Sequence, residues 1–278
     1  MPSPTLPAGS APHVPPRRPH AWIAPVALLH LLVVAAWWRL GWQTALPLLA
    51  ALHLVLLWGV LRPGSAIYGP VLARLRTDAR AVWLTIDDGP SDDTAALLDL
   101  LDAHGARATF FLVGGRAAAR PDLVRAIAAR GHGIGNHSQT HPQAWFWALG
   151  PARMRAEVGD CQHALTAITG VAPRWFRAVV GHANPLLHAP LRDQGLARVA
   201  WSARGFDAVA ADPGTVARRI ARDLAPGAIV LLHEGAPHGR SLEAVAAVLA
   251  LLRAQGYATV VPEAAPAALS ASPPPASC

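Results

Sequence analysis

From Ala81 onward the chain alternates short apolar runs with segments of helical character, and this alternation restricts it to very few folds. The runs cover 81–86, 108–113, 133–136, 174–177, 197–201, 228–233 and 258–261. Between them, 94–104, 121–130, 151–169, 185–194, 213–224 and 242–255 read as helices. Pro121, Pro151 and Pro213 stand where a first helical turn tolerates proline. Gly105, Gly131, Gly170, Gly195 and Gly256 each follow a helix, as left-handed caps do. Strand–helix alternation sustained over seven runs requires parallel pairing, in an open sheet or a barrel. At 278 residues and 53% hydrophobic content, the chain has room for one such domain and an extra segment, and is not disordered over most of its length.

The extra segment is 21–61, apolar apart from Arg39, Gln43, His30 and His53. One helix of that length would span about 60 Å, twice a hydrocarbon core. Two membrane spans, 21–38 and 41–61, turning at Arg39-Leu40-Gly41, fit better. Trp37, Trp38 and Trp42 crowd the turn, as aromatic residues do at a membrane interface. A lone histidine in a span commonly bonds neighbouring backbone, which is the expectation for His30 and His53. The chain thus divides into a Pro-rich disordered tail (1–20), a two-helix membrane anchor (21–62), a basic linker (63–80), the α/β domain (81–262) and a second disordered tail (263–278). A bacterial inner-membrane location is expected. Arg17 and Arg18 precede the first span and Arg62, Arg74, Arg76 and Arg80 follow the second, against Arg39 in the turn. That bias favours a cytoplasmic domain; a single crossing would place it in the periplasm. The net charge of +7 comes from scattered arginines with no long basic run, so it reads as solvated faces and membrane flanks and not as a nucleic-acid surface. Cys161 and Cys278 form no CxxC, which excludes a disulfide framework and a zinc knuckle.

The first run ends in Thr85-Ile86-Asp87-Asp88-Gly89-Pro90. Of two adjacent carboxylates at a strand end, one can bind a cation while the other stays free as a base. A turn and helix N-cap is the plainer reading, and it is the one given to Asp92 and Asp93. The third run leads into His137-Ser138-Gln139-Thr140-His141. Histidines at i and i+4 can share one metal, and with Asp88 they make a two-histidine, one-carboxylate set with open positions. His132 reads as structural and His163 as surface. Arg177, Asp207 and His233 are each weak signals alone. Together with Asp87, Asp88 and His137, however, they all fall at or just past C-terminal strand ends, which share one rim in a β/α barrel.

Thr85–Pro90, His137–His141, Phe176-Arg177-Ala178-Val179-Val180-Gly181 and Leu231-Leu232-His233 stand in the order of four motifs. In these the chain resembles the polysaccharide deacetylases with a NodB homology domain, carbohydrate esterase family 4, over roughly 80–262. The resemblance implies a distorted (β/α)7 barrel, here preceded by a transmembrane helical hairpin. It implies Asp87 as general base, Arg177 as the group holding that base, His233 as general acid and Asp207 as the carboxylate orienting the acid. It implies Asp88, His137 and His141 as ligands of one divalent ion, usually zinc, sometimes cobalt or nickel. Val180, Trp201 and Leu231 are the expected substrate contacts, with a backbone N–H near Val180 in the oxyanion site.

The implied activity is metal-dependent removal of an N-acyl group, most often N-acetyl, from an amino sugar in a polysaccharide, peptidoglycan or lipid-linked glycan. Some relatives take a formyl or acetyl group from an undecaprenyl-phosphate-linked sugar. A catalytically inactive sugar-binding module is the competing class, though a binder needs neither base nor acid. Four positions depart from the family pattern. Val179 and Val180 replace proline and an aromatic residue, Ala208 replaces tryptophan, and Arg204 stands where many members carry an acid. Aromatic faces stack on sugars, so poor action on long chitin oligomers is expected.

Overall fold

The computed structural model describes residues 10–262. Eight strands form one sheet: β1 (Ala81–Gly89), β2 (Thr109–Leu112), β3 (Gly133–Asn136), β4 (Trp175–Phe176), β5 (Ala197–Arg198), β6 (Ala203–Arg204), β7 (Ile229–His233) and β8 (Ala258–Thr259). Every ladder is parallel, in the order β5-β4-β3-β2-β1-β7-β6, with β8 against the first two residues of β1. β5 and β6 lie at opposite ends of this path yet are neighbours in sequence, so the chain between them curls the sheet into a barrel. The expected strand 197–201 shortens to β5, and β6 follows just beyond it. Val199 still donates to Phe176 O of β4 (2.8 Å), but Ser202 donates to Ile229 O of β7 (3.0 Å). One segment thus serves both edges.

The helices are α1 (Ile23–Leu40), α2 (Trp42–Leu61), α3 (Thr94–Ala103), α4 (Gly114–Ala119), α5 (Pro121–Ala129), α6 (Pro151–Thr169), α7 (His188–Asp193), α8 (Pro213–Asp223) and α9 (Ser241–Ala254). α4 was not expected, because its two leading glycines disguise a helix start. Asp93 is the N-cap of α3 by position, but its carboxylate accepts from Gly235 N (3.0 Å) and caps nothing. His132 is buried and accepts from Ala108 N, as a structural histidine does.

Alternation along β1 sets the site. Val82, Leu84 and Ile86 enter the core shared with the outer helices, while Ala81 and Trp83 enter the barrel interior with Phe111, Trp175 and Ile229. Side chains on a strand alternate with period two, so the parity that sends Trp83 inward also sends Thr85 and Asp87 inward at the strand's end. On β7 the same rule carries Ile229, Leu231 and His233 inward. The register pairs Asp87 with His233 directly.

α1 and α2 form a hairpin long and apolar enough to cross a membrane. Their outer faces expose Leu31, Leu54 and Trp38. The turn is Gly41 alone, so Arg39 and Leu40 belong to α1 and not to the turn. His30 Nδ1 donates to Val26 O (2.8 Å) and His53 Nδ1 to Leu49 O (2.9 Å), with the two rings edge to face at 5.4 Å. The base of the hairpin is fastened to the barrel. Ala183 N donates to Val60 O (2.8 Å), Tyr68 hydroxyl donates to Leu56 O (2.7 Å), and Tyr68, Val60 and Ala183 are buried together.

Of the Pro-rich stretch 1–20, residues 1–9 lie outside the described residues, as does the tail 263–278. The described part runs along the barrel: Arg76 N donates to Ser10 O (2.8 Å), and the His13 ring meets Trp175 edge to face.

Candidate active site

Three elements converge at one end of the barrel. Asp87 and Asp88 end β1, His137 and His141 lie on the loop after β3, and His233 ends β7. His137 Nε2 lies 3.3 Å and His141 Nε2 3.0 Å from Asp88 Oδ1. All three ligand atoms fall within 4.8 Å of one another. His137 Nδ1 is 2.9 Å from Arg177 O. A carbonyl only accepts, so Nδ1 carries the proton and Nε2 presents its lone pair to the cluster. Asp88 Oδ1 is buried with no conventional donor. Two imidazole lone pairs and an orphaned carboxylate oxygen suit a divalent cation such as zinc.

The backbone is bent to make this cluster. Among the described residues, the non-glycine positions with positive φ are Asp88 (73°), Ser138 (70°), His141 (53°), Val180 (48°) and Phe206 (61°). Left-handed backbone costs an L-residue of order 1–3 kcal/mol, more readily incurred where the surroundings fix it. Here all five lie at or beside the cavity. The fixing partners were not visible in the motifs. Asn136 Oδ1 accepts from Ser138 N (3.0 Å). Buried Glu157 on α6 accepts from Thr140 N (2.8 Å) and Thr140 Oγ1 (2.6 Å). Glu234, next to His233 and also buried, accepts from Ser91 N (3.2 Å), Ser91 Oγ (2.7 Å) and Thr94 Oγ1, bracing the turn after Asp88.

Asp87 and His233 are held by different means. Arg177 is fully buried, and its Nη1 donates to Asp87 Oδ1 (2.8 Å) and Thr85 Oγ1 (2.6 Å). Its guanidinium lies 4.2 Å over the Phe111 ring. Asp207 Oδ2 accepts from His233 N (2.6 Å) and Oδ1 faces His233 Nδ1 at 3.1 Å. Burial pulls the His233 imidazole down, but Asp207, with Asp87 and Asp88, outweighs it and pushes the group up to about 9. The site therefore holds an arginine-paired carboxyl group, Asp87, and an imidazole of raised proton affinity, His233, on either side of the cation cluster.

These groups open into a cavity of about 190 Å³. Val180, Trp201 and Leu231, the expected substrate contacts, line it, and so do Arg204, Phe206 and Gln143. The structure thus brings together every residue singled out from the sequence as catalytic, metal-ligating or substrate-binding. Gln143 and Phe206 were missed; nothing in their local sequence marks them.

Comparison with known proteins agrees with this architecture. The family model described as polysaccharide deacetylase matches residues 74–199. The chain is 37% identical over 162 residues to a chitooligosaccharide deacetylase of Bradyrhizobium sp., covering 58% of this chain and 73% of that protein. It is 30% identical to a peptidoglycan-N-acetylglucosamine deacetylase of Listeria monocytogenes, over 69% of this chain but 40% of that protein. Among solved structures, a family 4 carbohydrate esterase from Streptomyces lividans superposes with a TM-score of 0.60 at 34% identity, covering 65% of this chain and 92% of the other. A family 4 pseudoenzyme from Bacillus anthracis superposes at 0.62 with 26% identity, over 68% of this chain and 66% of that one. Barrel, site and sequence agree, and the chain belongs to the polysaccharide deacetylases, the NodB-homology hydrolases of carbohydrate esterase family 4 that act on carbon–nitrogen bonds.

Proposed function

We propose that this protein is a metal-dependent N-deacetylase of an N-acetylated amino-sugar glycan, working at a membrane surface. The observation that carries the reading is the pairing of Asp87–Arg177 and Asp207–His233 on either side of the Asp88–His137–His141 cluster within one cavity. A divalent ion held by that cluster, zinc or else cobalt or nickel, would supply Lewis-acid polarisation of the acyl oxygen and a water acidic enough to react near neutral pH. Asp87 accepts the proton of the attacking water. Arg177 holds Asp87 Oδ1 and aims it away, leaving Oδ2 toward the cluster, 3.8 Å from His137 Nε2. The backbone N–H at Val180, presented by its left-handed conformation, donates to the developing oxyanion. His233, kept charged by Asp207, delivers its proton to the departing amine.

A chitooligosaccharide or peptidoglycan substrate is the reading supported by the relatives named above. A lipid-linked amino sugar is the second, favoured by one observation: the hairpin is fastened at Ala183, and Pro63 lies against cavity-lining Gly181. An inactive sugar-binding module has a precedent in the Bacillus anthracis relative. The retained base and acid pairs oppose it here. Amine release from chito-oligosaccharides, peptidoglycan and lipid-linked amino sugars by the purified full chain with zinc tests all three. Turnover that vanishes in Asp87→Asn supports the deacetylase; no turnover on any substrate leaves the binding module.

A further inference from the structure

Asp87 and Asp88 line the cavity and Asp207 stands buried behind His233, and each of the three has its own partner. Asp87 is paired with Arg177 and Asp207 with His233, while Asp88 belongs to the cation cluster. Arg204 is the surplus. It follows Ala203 on β6, and because Ala203 enters the helix-side core, alternation turns Arg204 inward beside Leu231, its register partner. It lines the cavity; Asp207 acts on it through space but is engaged by His233, and among the described residues Arg204 makes no salt bridge of its own. Its Nε is buried with no partner.

The guanidinium is also fixed in orientation. Its carbon sits 3.8 Å over the Phe206 ring and 5.3 Å over the Trp201 ring. Phe206 holds that place with φ of 61°, unusual for so bulky a residue, and Arg219 lies over it at 5.5 Å. Aromatic contact on the flat faces leaves the coplanar N–H edge as the remaining polar outlet. A planar fork of donors held this way suits bidentate recognition of an oxyanion.

We propose that Arg204 forms an oxyanion subsite inside the catalytic cavity, so that the substrate is an N-acylated amino sugar bearing a carboxylate or phosphate next to the acylated ring. This rests on the deacetylase reading and narrows its substrate class. Arg204 supplies the missing partner for that charge, as the paired arginine and histidine do for the cavity acids.

The test compares sugars differing by one charged group. N-acetylmuramic acid is set against N-acetylglucosamine, which lacks the lactyl carboxylate, and N-acetylglucosamine 1-phosphate against the same neutral parent. Amine release gives kcat/KM, and calorimetric titration into Asp87→Asn protein gives binding without turnover. At least one anionic sugar should exceed its parent by about tenfold to a hundredfold, the range of a charge-assisted bidentate contact. Arg204→Met, which keeps the stem against Phe206, should bring that ratio close to one; Arg204→Lys should restore part of it. A purely structural role would lower both members of a pair alike and leave the ratio unchanged, which overturns the proposal. Equal binding of all three sugars overturns it too. Selective, Arg204-dependent binding with no amine release from any sugar sinks the deacetylase reading and leaves the subsite standing. Whichever anionic sugar carries the preference identifies the source as carboxylate or phosphate.

Discussion

The pair His233–Asp207 gives the site its most direct pH signature. An acid catalyst works only while protonated, and His233 is pushed to about 9 because the neighbouring carboxylates, Asp207 foremost, outweigh burial. kcat should therefore hold through neutrality and fall as pH rises through roughly 9. Asp207→Asn removes the largest raising contribution, so its alkaline limb should move to lower pH; a rate profile of the two proteins checks this. The same sign applies to folding. A group raised above its ordinary 6.5 adds stability that is complete below that value and lost as pH climbs toward 9. His233→Ala and Asp87→Asn should each retain the metal and lose on the order of 10²-fold or more in turnover. His137→Ala/His141→Ala should lose stoichiometric divalent ion and activity together, measured by elemental analysis; full occupancy in that protein would remove the cluster assignment. These residues were legible in the sequence because each sits at the end of an apolar run, where strand parity and the shared rim confine it. Glu157 and Glu234 were not. Their roles come from partners 17 and 143 residues away, brought near only by the barrel.

At the scale of elements, β3 supports the base from a distance. A Cβ on Gly135 would lie 2.5 Å from the Phe111 ring, and the same ring carries the Arg177 guanidinium at 4.2 Å. Gly135→Ala should force the ring to shift and cost about 1–3 kcal/mol, the range for overpacking a core. Thermal melting would show the loss, and the displaced Arg177 should also reduce turnover at temperatures where the protein stays folded. Most element boundaries could be read from the sequence within two residues, because proline starts and glycine stops flank the helices. The segment 197–204 could not. Residues 197–201 look like one strand, and only closure of the barrel shows that the segment's first half pairs with β4 and that a second strand beyond it pairs with β7. That split is also what turns Arg204 into the cavity, which periodicity within a single strand would not have revealed.

For the whole molecule, the hairpin meets the barrel in a buried contact of Tyr68, Val60 and Ala183. The full chain should sediment with membranes and resist alkaline extraction, and a chain starting at Arg62 should not; fractionation of the two forms decides it. The arginine bias of the flanks leads us to expect the barrel in the cytoplasm, and reporter fusions after Leu61 test that expectation. Active alkaline phosphatase there would put the barrel in the periplasm instead.

The hydrogen bond from Ala183 to Val60 O has a consequence for where the reaction takes place. It joins the last turn of α2 to the loop just after cavity-lining Gly181, so with the hairpin seated in a bilayer the cleft is held at a fixed height and has no slack tether to swing on. Such a catalyst searches for substrate in two dimensions and samples one thin layer of a glycan meshwork. On a thick polymer, reached only if the barrel faces the periplasm, it would write its product as a gradient, dense against the bilayer and fading outward. On a substrate carried by the bilayer itself it would meet every molecule at the same height.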